Sequence, residues 1–287
     1  MDDPVRVPEF LASPPDGGCF ARGDRADRVF RFDPESQAAP GCPDFEGVHL
    51  LPDFVSGEES RRLLRAIESV PFALAQSGKQ KQHYGARVNF NKRRVNVAAL
   101  EGLPSYAPWL ESRLRRRLAA GSAKGLAQAR IRSLEGAIAR FRTTDVFVLR
   151  YRSGDQSNLD FHVDDTFAYG EAILDLSLET DSVLTFLRDR RASGRAWECV
   201  RVPIPARSML VLYGPARFEW EHAVLAYDVH GQRTSITART LGDALRESPE
   251  GRCVAERARW RLAGETIEFE LDPEPECPER EPGARGV

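Results

Sequence analysis

The sequence predicts an α+β fold: a double-stranded β-helix, or jelly roll, with supporting helices ahead of it. Two observations carry this expectation. Helical periodicity is confined to the first half of the chain, and from Asp145 onward it gives way to short strand-like runs separated by turn residues. One of those runs alternates so that its charged side chains share one face, an arrangement that two facing sheets can enclose around a site.

Residues 1–45 are rich in Pro, Gly, Asp and Arg and lack periodicity, which predicts a loose arm. Order is expected from Gly47 onward. Ser56-Gly-Glu-Glu59 has the form of a capping box and opens a helix through about Val70, with Leu63, Leu64, Ile67 and Val70 as its apolar face. Pro71 ends it. The stretch from Lys79 to Asn96 is basic and reads as a loop. Helices are expected over 107–120 and 124–135, then strands over 146–151, 172–178, 183–187, 199–204, 208–213 and 234–240. Ser153-Gly154-Asp155 and Tyr213-Gly214-Pro215 punctuate them. The implied organisation is one domain over 46–245, a C-terminal extension over 246–271 and a Pro- and Glu-rich tail over 272–287 that is expected to be disordered.

Composition narrows the function classes. With 287 residues, 41% of them hydrophobic, the chain can bury a full core. A net charge of −2 supplies no global field for nucleic acid, so any such binding must come from a local patch. The five cysteines, Cys19, Cys42, Cys199, Cys253 and Cys277, are scattered without a paired motif. That argues against a disulfide framework and for a reducing compartment, cytoplasm or nucleus. No run approaches the roughly 18 apolar residues of a membrane span, so no membrane partner is expected.

The chemistry is concentrated in His162-Val163-Asp164 and a distant His222. His-x-Asp with a second His far downstream is the ligand set of a mononuclear non-haem iron(II) site, which leaves coordination positions open for oxygen. In a strand, positions i and i+2 share a face, so His162 and Asp164 can grip one ion from adjacent rungs. Arg233-Thr-Ser-Ile-Thr-Ala-Arg239 alternates, with Arg233, Ser235, Thr237 and Arg239 on one face and Ile236 and Ala238 on the other. Two inward guanidiniums are costly to bury without anionic partners. A dicarboxylate such as 2-oxoglutarate would suit them, since guanidinium and carboxylate pair through two parallel hydrogen bonds.

These residues resemble the AlkB-type iron(II)/2-oxoglutarate dioxygenases, and within them the AlkB homolog 4 subgroup. The resemblance rests on His162-Val-Asp-Asp165, Trp220-Glu-His222, and Arg233 and Arg239, which follow His222 and Arg233 by 11 and 6 positions. The subgroup rests on Ser77-Gly-Lys-Gln-Lys-Gln-His-Tyr-Gly-Ala-Arg-Val-Asn-Phe-Asn-Lys92 and on Ile204-Pro-Ala-Arg-Ser-Met-Leu-Val-Leu212. The similarity spans about Gly47 to Leu241. It implies a dioxygenase using iron(II), 2-oxoglutarate and O₂, with His162, Asp164 and His222 on the metal. Arg233 would pair with the distal carboxylate of 2-oxoglutarate, and Arg239 would lie near its other end or the substrate. Tyr151 matches a family tyrosine that hydrogen-bonds the co-substrate, although the family's Asn two positions earlier is Leu149 here. The Cys-rich N-terminal segment of the subgroup is reduced to Cys19 and Cys42.

The reaction implied is oxidative N-demethylation, of monomethyl-lysine on actin or of N6-methyladenine in DNA. Lys79, Lys81, Arg87, Lys92, Arg93 and Arg94, interleaved with Tyr84 and Phe90, could contact phosphates while an aromatic stacks a flipped base. The same loop could instead be ordinary solvated surface, or dock on the acidic face of a protein. Asp165 could orient substrate or simply serve a turn. His49 and His230 read as structural, and His83 is open. The rival to an active demethylase is a dioxygenase-like scaffold acting by protein binding in chromatin or actomyosin.

Overall fold

The structure is a computed structural model that describes residues 29–121, 128–188 and 198–271. The chain begins with β1 (Val29–Arg31) and β2 (Val48–Leu51), followed by α1 (Gly57–Glu68). The Ser56 hydroxyl accepts from Glu59 N and the Glu59 carboxylate accepts from Ser56 N, so both halves of the expected capping box form. The helix buries Leu63, Ala66 and Ile67 on one stripe.

Next come β3 (Ala73–Leu74), β4 (Gln80–Tyr84) and a hairpin of β5 (Arg87–Asn89) and β6 (Arg94–Asn96). The expected loop over 79–96 is therefore strand and hairpin. Gln-Lys-Gln-His-Tyr has no apolar alternation to announce a strand. β4 gains its order from pairing along five residues of β7 (Asp145–Arg152), and from the Gln82 amide, which donates to the Ile67 and Val70 carbonyls at the end of α1. Between them lie α2 (Tyr106–Ala119) and α3 (Gln128–Ala139); the first residues of the third predicted helix fall outside the described residues.

The remaining elements are β8 (Leu159–His162), β9 (Tyr169–Leu178), β10 (Ser182–Arg188), β11 (Glu198–Ile204) and β12 (Met209–Leu212). After them come α4 (Gly214–Phe218), β13 (Glu221–Val224), β14 (Gln232–Leu241), α5 (Asp243–Arg246) and α6 (Pro249–Arg257). Among the described residues these strands form a seven-stranded sheet, β2-β12-β9-β14-β7-β4-β3, and a five-stranded sheet, β1-β11-β10-β13-β8. The two face each other as a jelly roll. Helices and the C-terminal segment cover the outer face of the larger sheet, where Leu63, Ile67, Leu110, Leu134, Val148, Leu176 and Ile236 make one core. A second core fills the space between the sheets, around Phe186, Val202, Leu210 and Trp220.

Residues 29–45, placed by composition in a loose arm, belong to this second core. β1 pairs in parallel with β11, and Phe45 packs edge-on against Trp220 with ring centroids 5.1 Å apart. The Gln37 side chain bridges both backbone groups of Leu50, at 2.8 and 2.9 Å. Residues 1–28 and 272–287, with Cys19 and Cys277, lie outside the described residues.

Candidate active site

The site lies between the sheets, and each supplies a different chemistry. The smaller sheet brings the histidines. His162 and His222 are register partners on β8 and β13, while Val224 pairs with Leu159, so β8 carries one more residue than its partner over this interval. The bulge breaks the two-residue alternation and turns both Leu159 and His162 inward, leaving Phe161 on the outer side with Leu187 and Ala223. β8 ends at His162, so Asp164 does not occupy the next rung of a strand as expected. It sits in the turn that follows, held by side chains from elsewhere.

Those side chains are arginines. Arg217, on α4 and fully buried, donates to the backbone oxygens of Asp164 (2.8 Å) and Asp165 (3.1 Å). Arg239 on β14 places Nη2 2.8 Å from Asp164 Oδ1. Burial opposes the charged form of Asp164, but Arg239, His222, His162 and Arg217 outweigh it and hold the carboxyl well below the usual range. Burial also depresses His222, to about 3, which keeps the imidazole in the neutral form that ligates metal.

One ligand atom from each of His162, Asp164 and His222 lies within 4.8 Å of the others. His222 Nε2 is 3.6 Å from Asp164 Oδ2, beyond hydrogen-bond reach and suited to two donors sharing an ion. His162 Nδ1 faces the Asp160 carbonyl at 2.8 Å, which orients the ring and leaves Nε2 free. Two imidazoles and one carboxylate fit iron(II).

The larger sheet brings the cations. Arg233, Ser235, Thr237 and Arg239 all line the pocket, while Ile236 and Ala238 enter the helix-side core, as the alternation predicts. Arg233 donates from Nε to Ser177 Oγ (3.0 Å) and from Nη2 to Asp175 Oδ2 (3.2 Å), with its guanidinium 5.3 Å from the Tyr151 ring centroid. Tyr151 is buried with its hydroxyl toward Arg233 and Ser235, and burial pushes its pKa well up. Arg239 lies between the rings of Phe147 (5.2 Å) and Tyr169 (4.9 Å) and also donates to Asp145 Oδ1 at 3.3 Å. Thus part of the anionic partnership these arginines need is built in: Asp145, Asp164 and Asp175 stand against Arg217, Arg233 and Arg239. A pocket ringed by a metal triad and two anchored guanidiniums suits a small acid that chelates the ion with one end.

Residues 47–239 match the 2OG-Fe(II) oxygenase superfamily. The chain belongs to that superfamily. It is 32% identical over 222 residues to the human alpha-ketoglutarate-dependent dioxygenase alkB homolog 4, covering 69% of this chain and 68% of that protein. To the Caenorhabditis elegans DNA N6-methyl adenine demethylase it is 27% identical over 217 residues, covering 76% and 66%. Among solved structures, OsALKBH1 aligns with a TM-score of 0.47 at 13% identity, over 68% of this chain and 98% of that one. This oxygenase is of the AlkB type, and its cofactors are iron(II), 2-oxoglutarate and O₂.

The structure divides the sequence-predicted substrate contacts of the oxygenase. Arg87, Phe90, Lys92, Arg93 and Arg94 are exposed on the β5–β6 hairpin, and Lys81 is half-buried on β4 opposite Leu149. Two others are withdrawn from the surface. Lys79 is buried and donates to the Asn158 carbonyl. Tyr84 points into the helix-side core and donates to Gln82 Oε1 at 3.1 Å, and burial raises its hydroxyl to about 12. Asp165 serves a turn: its Oδ1 accepts from Phe167 N (2.9 Å) and Ala168 N (2.7 Å). Trp220 is core. Sequence reasoning missed Asp145, Asp175 and Arg217. Asp175, an acid within the apolar run Ala172 to Leu178, was the legible signal; nothing local marks Arg217.

Proposed function

We propose that this oxygenase removes N-methyl groups oxidatively, with N6-methyladenine in DNA as its leading substrate. The observation that carries the substrate choice is the hairpin. Arg93 stacks its guanidinium 5.6 Å over Phe167, in the turn that follows Asp164, and this brings the exposed Arg87, Lys92, Arg94 and Phe90 beside the metal turn. Cations with an exposed aromatic beside a reactive pocket suit a phosphate backbone and a base taken out of the stack. The C. elegans relative bears the name of such an enzyme. The same charges favour a second reading, monomethyl-lysine presented on an acidic protein surface such as actin. The free buried thiols Cys42 and Cys199 accord with a reducing compartment, cytoplasm or nucleus.

Iron(II), 2-oxoglutarate and O₂ together supply oxidation of the methyl C–H bond, giving an N-hydroxymethyl group that loses formaldehyde, with succinate and CO₂ as co-products. The chain does the rest. Arg233 and Tyr151 would hold the distal carboxylate of the co-substrate when it binds. Arg239 and Arg217 fix Asp164 from two directions, and the apolar wall of Leu149, Leu184 and Leu210 excludes water.

Formaldehyde release from N6-methyladenine oligonucleotide and from a monomethyl-lysine actin peptide tests the choice. Neutralising Lys92, Arg93 and Arg94 should cut activity on DNA more steeply at low salt than at high salt, where phosphate attraction is already screened. Equal loss at both salt levels would remove the phosphate contacts from the proposal. Absence of formaldehyde from either substrate, despite iron and 2-oxoglutarate binding, would favour the scaffold reading.

A further inference from the structure

We propose that His83 is a positioning residue for the metal ligand Asp164, acting through Asp145 and Arg239; this rests on the oxygenase reading of the site. Four side chains stand in series. His83 Nε2 lies 2.7 Å from Asp145 Oδ2. A carboxylate can only accept, so Nε2 carries the hydrogen. The other Asp145 oxygen accepts from Arg239 Nη1 at 3.3 Å, and Arg239 Nη2 reaches Asp164 Oδ1 at 2.8 Å. The chain runs from a partly exposed imidazole, 23% accessible, to the carboxylate that grips the ion.

Each link is restrained sideways. The His83 ring stacks on Phe147, its register partner across β4 and β7, at 4.1 Å with planes 17° apart. The other neighbour of the pair is backbone. A Cβ at position 85 would lie 2.1 Å from Asp145 Oδ2 and 2.8 Å from His83 Nε2, so glycine alone lets the chain close over them. Arg239 packs against the rings of Phe147 and Tyr169, and its position along them is set by the two carboxylates at its ends. While His83 occupies Asp145 Oδ2, Asp145 offers Arg239 a single oxygen, and Nη2 stays on Asp164. Without that donor, Asp145 can turn both oxygens to the guanidinium in the favoured two-pronged geometry. Arg239 is then drawn off Asp164, and the ligand carboxylate loses its orienting partner.

Two substitutions separate the hydrogen bond from the packing. His83→Phe keeps an aromatic ring on Phe147 and removes the donor, whereas His83→Gln keeps a donor and weakens the stack. Iron(II) and 2-oxoglutarate affinities are measured anaerobically by calorimetry, beside the unfolding temperature of the metal-free protein. The expected result is metal binding about tenfold weaker in the Phe variant and near wild type in the Gln variant, with all three proteins unfolding at similar temperatures. The reverse ranking would overturn the proposal, as would a loss in both variants that follows lowered unfolding temperatures. So would unchanged metal affinity accompanied by a raised KM for the methylated substrate, which would make His83 a substrate contact. Wild-type protein that binds neither iron nor 2-oxoglutarate would instead remove the oxygenase reading itself.

Discussion

The seven-stranded sheet has two faces made from the same strands. Under the helices, β7, β9 and β14 present Val146, Val148, Leu174, Leu176, Ile236 and Ala238, all apolar and buried. Toward the smaller sheet, alternate residues of those strands are Asp145, Asp175, Arg233 and Arg239, charged and largely enclosed. A two-residue repeat lets one strand stabilise the fold on one side and carry chemistry on the other. The helix face supplies burial energy, and a charged interior is tolerable because of it. Substitutions on the two faces should therefore separate stability from ligand binding.

The largest expected loss of stability lies on the helix face. Leu176, fully buried, should cost about 3 kcal/mol when replaced by Ala, read from urea unfolding, with 2-oxoglutarate affinity of the folded protein unchanged. A weakened co-substrate with little destabilisation would break the division of labour. The next effect tests an exception on the helix side. His49 on β2 is 1% exposed, and burial, with the repulsion of Arg130, lowers its pKa to about 4. The folded state thus favours neutral His49. Its contribution is intact above the unfolded value near 6.5 and is lost as the pH falls toward 4. Roughly 3 kcal/mol should disappear across that window in wild type beyond what His49→Leu loses. Parallel pH curves for the two proteins would sink the assignment.

The smallest stability effect is expected on the inner face, where the functional effect is greatest. Replacing the Arg233–Asp175 pair together, by Met and Leu, removes both charges at once and should leave unfolding within about 1 kcal/mol of wild type or raise it. Binding of 2-oxoglutarate should fall at least about tenfold, while metal affinity is retained. A double variant that fails to fold would show that the inner charges are structural after all.

Legibility in the sequence followed the range of the interactions. The cap of α1 and the alternation from Arg233 to Arg239 are local, and both were visible. The grouping of His162, Asp164 and His222 was visible as a candidate ligand set because metal coordination restricts residue type strongly enough to survive a long loop. Counter-ions are different: Asp145 meets Arg239 only across strand pairing, and Arg217 reaches Asp164 from α4, far along the chain. The order of residues 29–45 depends on a parallel partner far downstream, so composition misjudged it. β4 was hidden because its polar side chains are satisfied by helix and sheet partners that lie outside any local window.

The extra residue in β8 ties the metal centre to chain length as much as to side-chain identity. His162 faces the pocket only because Asp160 and Phe161 together oppose Ala223. A regular ladder over the same residues, with Leu159 still opposite Val224, would set Phe161 opposite His222 and turn the His162 imidazole out of the pocket. Such a slip would leave all three candidate ligands present in the sequence and the sheet well paired, yet the donor set broken. Inheritance of the ligand set alone is thus a weaker guide to activity among relatives than inheritance of the set together with the strand register that aims it.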